Sequence, residues 1–221
     1  MPTEKLQTQT SLETKGITIP WAAFYDSLVW LFSFGKVTSM RNSMLKYAPL
    51  KLGDRVLDVG CGTGDIAIAA KSIVGPKGEI FGTDASAKMI QVAQNKIQRS
   101  PVAVSFQIDL IEKISFQENH FDVVMNSLVM HHLPDDLKNK GLAEMYRVLK
   151  PGGSLYIVDM QSTGAGSIFR RFSDLMIQLH GGHKSMQNNV DKLTPFIEST
   201  GFTNLEKGVV NRQLAFIRAT K

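Results

Sequence analysis

The sequence contains one cysteine, Cys61, in 221 residues, and it also lacks several features that define whole classes of protein. A single thiol cannot form an internal disulfide or a cysteine-ligated metal site, which favours a reducing, cytoplasmic setting. No apolar run reaches the ~20 residues that a helix needs to cross a bilayer. No zinc-finger spacing, RNA-binding signature or long run of Lys and Arg is present, so we expect no nucleic-acid partner. Residues 1–15 are polar and lack the apolar core of a signal peptide, and we expect a disordered arm over residues 1–18.

The residues that are present suit one globular domain. Hydrophobic residues make up 43% of the chain and charged residues 20%, a balance that supports a sizeable core. The formal net charge of +5 would suit an anionic partner or a membrane surface without requiring either. No repeat or linker interrupts the chain after residue 53. We therefore expect one domain over residues 53–221, preceded by a helical cover over residues 19–52.

The central motif of the chain is the stretch RVLDVGCGTGD at residues 55–65. Its apolar first half predicts a short buried strand, its three alternating glycines predict a tight loop, and the Ala-rich residues 66–74 predict a helix. Strand, glycine loop and helix in this order form the first half of a nucleotide-binding α/β unit. Glycines allow the sharp turn and the close approach of a ligand, whose polar groups can face the first N–H groups of the helix. A loop that serves only as a tight turn is the plainer alternative.

The acidic residue in front of the glycines helps to identify the ligand. A dinucleotide-binding loop spaces its glycines as G-x-G-x-x-G and seats a pyrophosphate. Here Asp58 ends the strand and is followed by G-C-G-T-G. Its carboxylate would repel a diphosphate but would suit a ligand with an ammonium group and no phosphate, such as S-adenosylmethionine.

At this loop the chain resembles the class I S-adenosylmethionine-dependent methyltransferases, whose first motif looks like VLDVGCGTGD. The turn LKPGG at residues 149–153 is similar to a late motif of the same family, so the resemblance covers roughly residues 53–160. Within the family, Tyr25-Asp26 and the stretches 53–58 and 147–153 look most like the ubiquinone/menaquinone-biosynthesis and phospholipid-methylating group. Two departures from the quinone enzymes are Asp159, where they usually have Glu, and a closing hairpin without their glycine-rich ending.

The resemblance implies an α/β fold with a Rossmann-like, seven-stranded, mostly parallel sheet, helices on both faces and a C-terminal antiparallel hairpin. It also implies S-adenosyl-L-methionine as the cofactor. Asp84, at the tip of the second strand, is placed to accept hydrogen bonds from the ribose hydroxyls, as it would be in a nicotinamide-binding protein. Asp109 would contact the adenine amino group, with Leu110 or Met89 packing on the ring. The expected cofactor-binding residues are Asp58, Gly60, Cys61, Gly62, Gly64, Asp84, Ala85, Met89, Asp109, Leu110 and Asn126.

Catalysis requires a general base only if the acceptor must lose a proton. The candidates are His131 and His132, which follow the fourth predicted strand, and His180 and His183, although a structural role is commoner for any single histidine. We expect the adjacent His131 and His132 side chains to point to different sides of a loop, so that at most one faces the site. No metal site is expected. A substrate-side insertion over residues 161–187 and the helix over residues 19–35 would supply substrate contacts, here assigned to Trp21, Tyr25, His180 and His183.

The sequence therefore predicts a methyltransferase that acts on a small apolar or lipid-like acceptor. A quinone precursor, a phospholipid head group and a secondary metabolite all fit this description. The apolar helix over residues 19–35 would be a lid, an interfacial helix with peripheral membrane contact, or plain packing. A nicotinamide-dependent oxidoreductase and a non-catalytic S-adenosylmethionine-binding module stay open as alternatives.

Overall fold

A computed structural model describes residues 37–99, 102–161 and 190–221. The predicted arm over residues 1–18, the first part of the predicted cover and nearly all of the predicted insertion lie outside the described residues. The proposed substrate contacts Trp21, Tyr25, His180 and His183 lie outside them as well.

Within the described ranges, helices and strands alternate along most of the chain. The helices are α1 (Val37–Leu45), α2 (Asp65–Val74), α3 (Ala87–Arg99), α4 (Asp135–Val148) and α5 (Thr194–Thr200). The strands are β1 (Arg55–Val59), β2 (Glu79–Asp84), β3 (Val104–Ile108), β4 (Phe121–Ser127), β5 (Leu149–Met160), β6 (Thr203–Val209) and β7 (Leu214–Thr220). Short 3₁₀ turns precede α4 and α5, at Met130–His132 and Val190–Leu193.

The strands form one seven-stranded sheet in the order β3-β2-β1-β4-β5-β7-β6. The first five strands in that order run parallel, whereas β7 is antiparallel to both β5 and β6. The predicted sheet and its closing antiparallel hairpin are therefore confirmed. Because the chain order reverses between β1 and β4, the carboxyl ends of these two strands border the crevice in which such sheets bind ligands.

Helices cover both faces of the sheet, because its parallel strands have apolar side chains on both sides. Successive residues of β1 enter different cores, with Val56 in one cluster and Leu57 in the other. The Leu57 cluster is completed by α4 and α5, and the Val56 cluster by α1, α2 and α3. No helix in the described residues is both long and apolar enough to cross a bilayer.

Helix α1 packs directly on the second of these cores. Met44 is only 2% exposed, and its carbonyl oxygen accepts a hydrogen bond from the Tyr156 hydroxyl of β5. The Tyr47 ring stacks on Phe216 of β7 with ring centroids 5.0 Å apart. Residues 37–47 therefore rest on the main sheet, while the division of the chain at residue 53 stays a prediction.

Helices α4 and α5 begin directly after their N-cap residues, Pro134 and Leu193. Asp135 lies inside the first turn of α4, where its carboxylate accepts a hydrogen bond from Lys138 at 2.8 Å. Thr194 is already helical because the 3₁₀ turn before it runs directly into α5. Gly201 ends α5 as a left-handed cap, with φ 105°.

Candidate cofactor and active site

The glycine loop between β1 and α2 is tied to the tip of β2. The N–H groups of Gly60 and Cys61 donate to the carbonyl oxygen of Thr83 at 2.7 and 2.9 Å. The N–H of Gly62 donates to the carboxylate of Asp84 at 2.9 Å. These three hydrogen bonds hold the loop across the carboxyl ends of β1 and β2.

The three glycines of this loop all have positive φ, but they meet different surroundings. A Cβ at Gly60 would lie 2.5 Å from a methyl carbon of Val129, and one at Gly64 would lie 2.5 Å from the Phe106 ring. A Cβ at Gly62 would have none of the described atoms within 4 Å. Gly60 and Gly64 are thus required by packing against distant parts of the chain, whereas Gly62 faces the open space that a ligand can enter.

This difference predicts that alanine substitutions at Gly62 and Gly60 lower the free energy of unfolding by different amounts. Gly62→Ala should lower the free energy of unfolding of the cofactor-free protein by about 1–2 kcal/mol, the strain of a left-handed alanine. Gly60→Ala should lower it by about 2–5 kcal/mol, because contact with the stiff, β-branched Val129 adds overpacking to the same strain. Urea unfolding of both variants measures these values. Equal losses would show that Val129 does not constrain the loop.

Asp58, near the carboxyl end of β1, is a buried carboxyl without a hydrogen-bond partner among the described residues. Its residue is 1% exposed, and neither carboxyl oxygen has a hydrogen-bond partner within the described ranges. Burial, followed by the charge of Asp84, raises the pKa of Asp58 to about 7. The Ala67 backbone N–H is close enough to oppose this shift but makes no hydrogen bond of normal geometry with the carboxyl. Buried polar atoms in proteins are nearly always hydrogen-bonded, so an orphaned carboxyl beside an open loop indicates a donor supplied by a ligand. An α-ammonium group, as in S-adenosylmethionine, meets that need.

Asp84 supports the glycine loop and keeps acceptor capacity for a ligand. One of its oxygens accepts from the Ser86 N–H at 2.8 Å, and the other accepts from the Gly62 N–H. Burial is the main cause that raises the pKa of Asp84, and these two hydrogen bonds oppose it. Because each carboxylate oxygen can accept two bonds, both retain a lone pair for ribose hydroxyls.

Asp109 follows β3 and lies next to Asp84, whose carbonyl oxygen accepts the Asp109 N–H at 3.2 Å. One Asp109 oxygen accepts from the N–H and the hydroxyl of Ser115 at 2.8 and 2.7 Å, which closes the loop after β3. The neighbouring Leu110 is half-buried, whereas Met89 is buried in α3. Of the two residues predicted to pack on adenine, Leu110 is the one with free apolar surface.

Two further predicted cofactor residues, Ala85 and Cys61, are half-buried near the same edge. Burial raises the pKa of the Cys61 thiol well above its usual value, and the charges of Asp58 and Asp84 raise it further. The thiol is therefore neutral and unsuited to nucleophilic attack. Cys61 acts as a small filler over β2, in agreement with its position between glycines.

Asn126, at the end of β4, joins the two sides of the crevice. Its side chain is fully buried, and its amide nitrogen donates to the Val59 carbonyl at 2.8 Å. Its side-chain oxygen has no hydrogen-bond partner among the described residues. The side chain thus fixes β4 against the start of the glycine loop, and ligand contact by Asn126 stays a prediction.

The segment after β4 leaves the sheet through a strained residue. Leu128 has φ 60°, a conformation that bulky residues seldom adopt, and its N–H donates to the Val158 carbonyl at 2.9 Å. The next residue, Val129, packs on Gly60 of the glycine loop. The following 3₁₀ turn, which carries His131 and His132, lies just beyond the carboxyl end of β4, one of the two strands that border the crevice.

The two histidines form a cluster with Asp159, the penultimate residue of β5. The Asp159 carboxylate accepts from the His131 backbone N–H at 3.0 Å and lies 2.5 Å from ring Nδ1. Burial alone would raise the pKa of Asp159, but His131 and the backbone N–H groups of His131 and Met160 outweigh it and lower that pKa. The ring centroids of His131 and His132 are only 3.8 Å apart, so the prediction that they point to different sides was wrong. The 3₁₀ turn, tighter than a loop, brings them together.

His132 differs chemically from its neighbour. Burial, and then the charge of His131, lowers the pKa of His132 to about 3. Its Nδ1 atom is buried without a hydrogen-bond partner in the described part of the chain. His132 is therefore a neutral ring that packs beside His131. Within the described ranges no cluster of three or more His, Cys, Asp or Glu forms a metal site.

The sequence analysis named the two histidines as candidates but did not predict their contact with Asp159. The available signal was the adjacency of β4 and β5, which pairs Ser127 with Val158 and so brings the residue after Val158 to the loop after β4. That adjacency follows from the sheet order and not from spacing along the chain.

Comparison with known proteins agrees with this site. Residues 56–153 match a family model described as a methyltransferase domain. The chain is 32% identical over 183 residues to the ubiquinone/menaquinone biosynthesis C-methyltransferase UbiE of Ectopseudomonas mendocina, covering 80% of this chain and 70% of that protein. It is 33% identical over 164 residues to the demethylmenaquinone methyltransferase of Lysinibacillus sphaericus, covering 71% and 67%. Against several other such relatives it spans just over half of their length, for example 57% for the Geobacillus protein.

Solved structures share the fold at lower identity. A SAM-dependent methyltransferase from Aquifex aeolicus aligns with TM-score 0.68 and 22% identity over 86% of this chain and 96% of its own. Phosphoethanolamine N-methyltransferase 2 of Haemonchus contortus, solved with S-adenosyl-L-methionine, aligns with TM-score 0.67 and 19% identity over 92% and 60%. These matches favour neither an oxidoreductase nor a simple binding module. The glycine loop, the unpaired Asp58 carboxyl and these relatives all lead to the same assignment. The chain belongs to the class I S-adenosylmethionine-dependent methyltransferases, near the C-methyltransferases of ubiquinone and menaquinone biosynthesis.

Proposed function

We propose that this protein methylates a ring carbon of a quinone-like lipid in its reduced, quinol form. The observation that supports this acceptor is the 32% identity to a quinone-pathway C-methyltransferase across 80% of the chain. The likeness to a phosphoethanolamine enzyme, at 19% identity, concerns the fold alone. A quinol ring is rich in electrons at carbon, which a methyl acceptor must be, whereas the oxidised quinone is not.

The cofactor site has a part for each group of S-adenosylmethionine. Asp58 would hold the α-ammonium group, Asp84 the ribose hydroxyls, and Asp109 with Leu110 the adenine. When bound, the cofactor would supply an electrophilic methyl group on a positively charged sulfur. The protein would contribute alignment and exclusion of water, because the methyl group is already activated. The glycine loop and the Leu128–His132 segment would provide the walls for this alignment.

The acceptor class also suggests where the enzyme works. A quinol with a long apolar tail resides in a membrane, and a chain with a formal net charge of +5 is attracted to anionic lipid surfaces. The enzyme would then act as a cytoplasmic protein that meets the membrane peripherally.

One assay tests the proposal directly. The protein is incubated with methyl-labelled S-adenosylmethionine and three acceptors in matched anionic vesicles: a demethylated naphthoquinol, a benzoquinol precursor and phosphatidylethanolamine. We expect label in a quinol, loss of labelling when the quinol is left oxidised, and sedimentation of the protein with the vesicles. Label in phosphatidylethanolamine, or in no acceptor, would contradict the proposed function.

A further inference from the structure

We propose that Asp159 positions His131 as the base that removes the hydroxyl proton of the acceptor. This inference rests on the proposed function, because it concerns how a quinol is made more nucleophilic. His131 would be the catalytic residue, and Asp159 the positioning residue that acts through it.

The geometry orients the His131 ring in a single way. The Asp159 carboxylate makes two contacts with the same residue, one to its backbone N–H at 3.0 Å and one to ring Nδ1 at 2.5 Å. The Met160 N–H donates to the same carboxylate at 2.7 Å and holds it in place. A carboxylate only accepts hydrogen bonds, so Nδ1 must carry the proton. In this tautomer the basic lone pair of the neutral ring is on Nε2.

The surroundings keep the Asp159 carboxylate ionised and shield its contact with His131 from solvent. The pKa of Asp159 is lowered despite its burial, so the residue is a carboxylate at neutral pH. The side chains of Asp159 and His131 are 2% and 9% exposed, which limits screening of their interaction by water. Among the described residues, the titratable groups that contact the His131 ring are Asp159 on β5 and the neutral His132.

The pair also lies at the crevice, two residues from a contact with the cofactor loop. Val129 packs on Gly60, and Asn126 bonds to Val59 at the start of that loop. Both contacts belong to the same short segment that carries His131. The base is therefore attached to the wall of the cofactor site, where a proton on the acceptor would need to be removed.

The proposed step balances as follows. The acceptor hydroxyl proton moves to Nε2 of His131, and the electron pair of the O–H bond stays on oxygen as a phenolate. The ring carbon made electron-rich by this phenolate bonds to the methyl carbon, and the pair of the methyl–sulfur bond goes to sulfur, which leaves S-adenosylhomocysteine. The ring carbon then loses its own proton to solvent, and His131 returns its proton to oxygen. One proton is released in each turnover.

The kinetic test compares His131→Gln and Asp159→Asn with the control His120→Gln. His120 lies at the opposite end of β4, next to Phe121, and has no part in the site. We expect kcat to fall about 100- to 10,000-fold in His131→Gln and at least about 10-fold in Asp159→Asn. Calorimetry should find the affinity for S-adenosylmethionine unchanged within about 3-fold, and the control should behave as the wild type.

Two further readouts separate catalysis from structure. A halogenated quinol whose hydroxyl is already ionised at the assay pH should restore much of kcat in both variants, because it needs no base. In the cofactor-free wild type, nitrogen NMR of the imidazoles should show the His131 proton on Nδ1. A proton on Nε2 instead would overturn the inference even if the variants fail to fold.

The outcomes also separate this inference from the proposed function. If the wild type methylates no quinol, the proposed function fails, and the NMR result still decides the orientation of His131. If the wild type is active and His131→Gln retains kcat, the base assignment fails while the function stands. Loss of kcat that the ionised quinol does not restore would reduce the pair to a structural role.

Discussion

Asp58→Asn is expected to stabilise the cofactor-free protein at about pH 8 by roughly 2–4 kcal/mol while it weakens cofactor binding. The carboxyl is buried without a partner, and burial with the charge of Asp84 raises its pKa from 3.8 to about 7. At a pH between 3.8 and about 7, the Asp58 carboxyl is protonated in the folded protein and ionised in the unfolded chain. The stability that Asp58 contributes is therefore fully present below its unfolded pKa and is lost as pH rises through the folded pKa. Asparagine, which has no charge to bury, removes this loss.

The same substitution should weaken S-adenosylmethionine about 10- to 100-fold, the expected effect of losing one hydrogen bond to a charged group. Urea unfolding at about pH 5 and pH 8 measures the stability, and calorimetry measures the affinity. Asp122→Asn is a control for which we expect the opposite change in the free energy of unfolding. Hydrogen bonds from Lys150 and Arg55 outweigh the partial burial of Asp122 and lower its pKa, so its loss should destabilise the protein modestly. An Asp58→Asn protein that is no more stable than the wild type at the higher pH would contradict the burial argument.

His132→Gln is expected to reduce the sensitivity of the fold to acid. Burial and the charge of His131 lower the pKa of His132 from 6.5 to about 3, so the folded protein keeps the ring neutral while the unfolded chain gains a proton. A group whose pKa is lowered by folding stabilises the protein above its unfolded pKa. This stabilisation is lost as the pH falls toward its folded pKa. By about pH 4.5 this loss should reach roughly 3 kcal/mol in the wild type and be absent in the variant.

The measurement is the pH slope of the free energy of unfolding between about pH 6.5 and pH 4.5. His120→Gln serves as the matched control, because burial lowers the pKa of His120 to a lesser extent and its ring is half-buried. Its slope should fall only slightly below that of the wild type, because the shift of His120 has the same direction but is smaller. If the slope of His132→Gln falls no further than that of His120→Gln, then His132 is not held neutral by burial.

The sequence predicted the sheet and the glycine loop well because both depend on local signals. Residues 55–59 form the expected strand, since β-branched and apolar residues favour a buried central position. The order of strands followed from the family resemblance, and with it the crevice between β1 and β4. Asp58, Asp84 and Asp109 could be placed because each ends or follows a parallel strand, and such ends meet at one edge of a sheet.

The parts that were missed depend on contacts between distant residues. Gly60 is required by Val129 and Gly64 by Phe106, and no spacing within the loop could indicate those neighbours. The bond between His131 and Asp159 joins residues 28 positions apart and exists only because β5 lies beside β4. The left-handed Leu128 is likewise a product of tertiary structure, since leucine by itself avoids that conformation.

The orphaned Asp58 has a consequence for turnover. An ammonium group held by this carboxyl is present in S-adenosylmethionine before methyl transfer and in S-adenosylhomocysteine after it. A contact that is equal in both binds reactant and spent product alike and cannot lower the barrier between them. Each catalytic cycle would therefore end with the product competing for the same crevice, so sustained activity would depend on the cell removing S-adenosylhomocysteine.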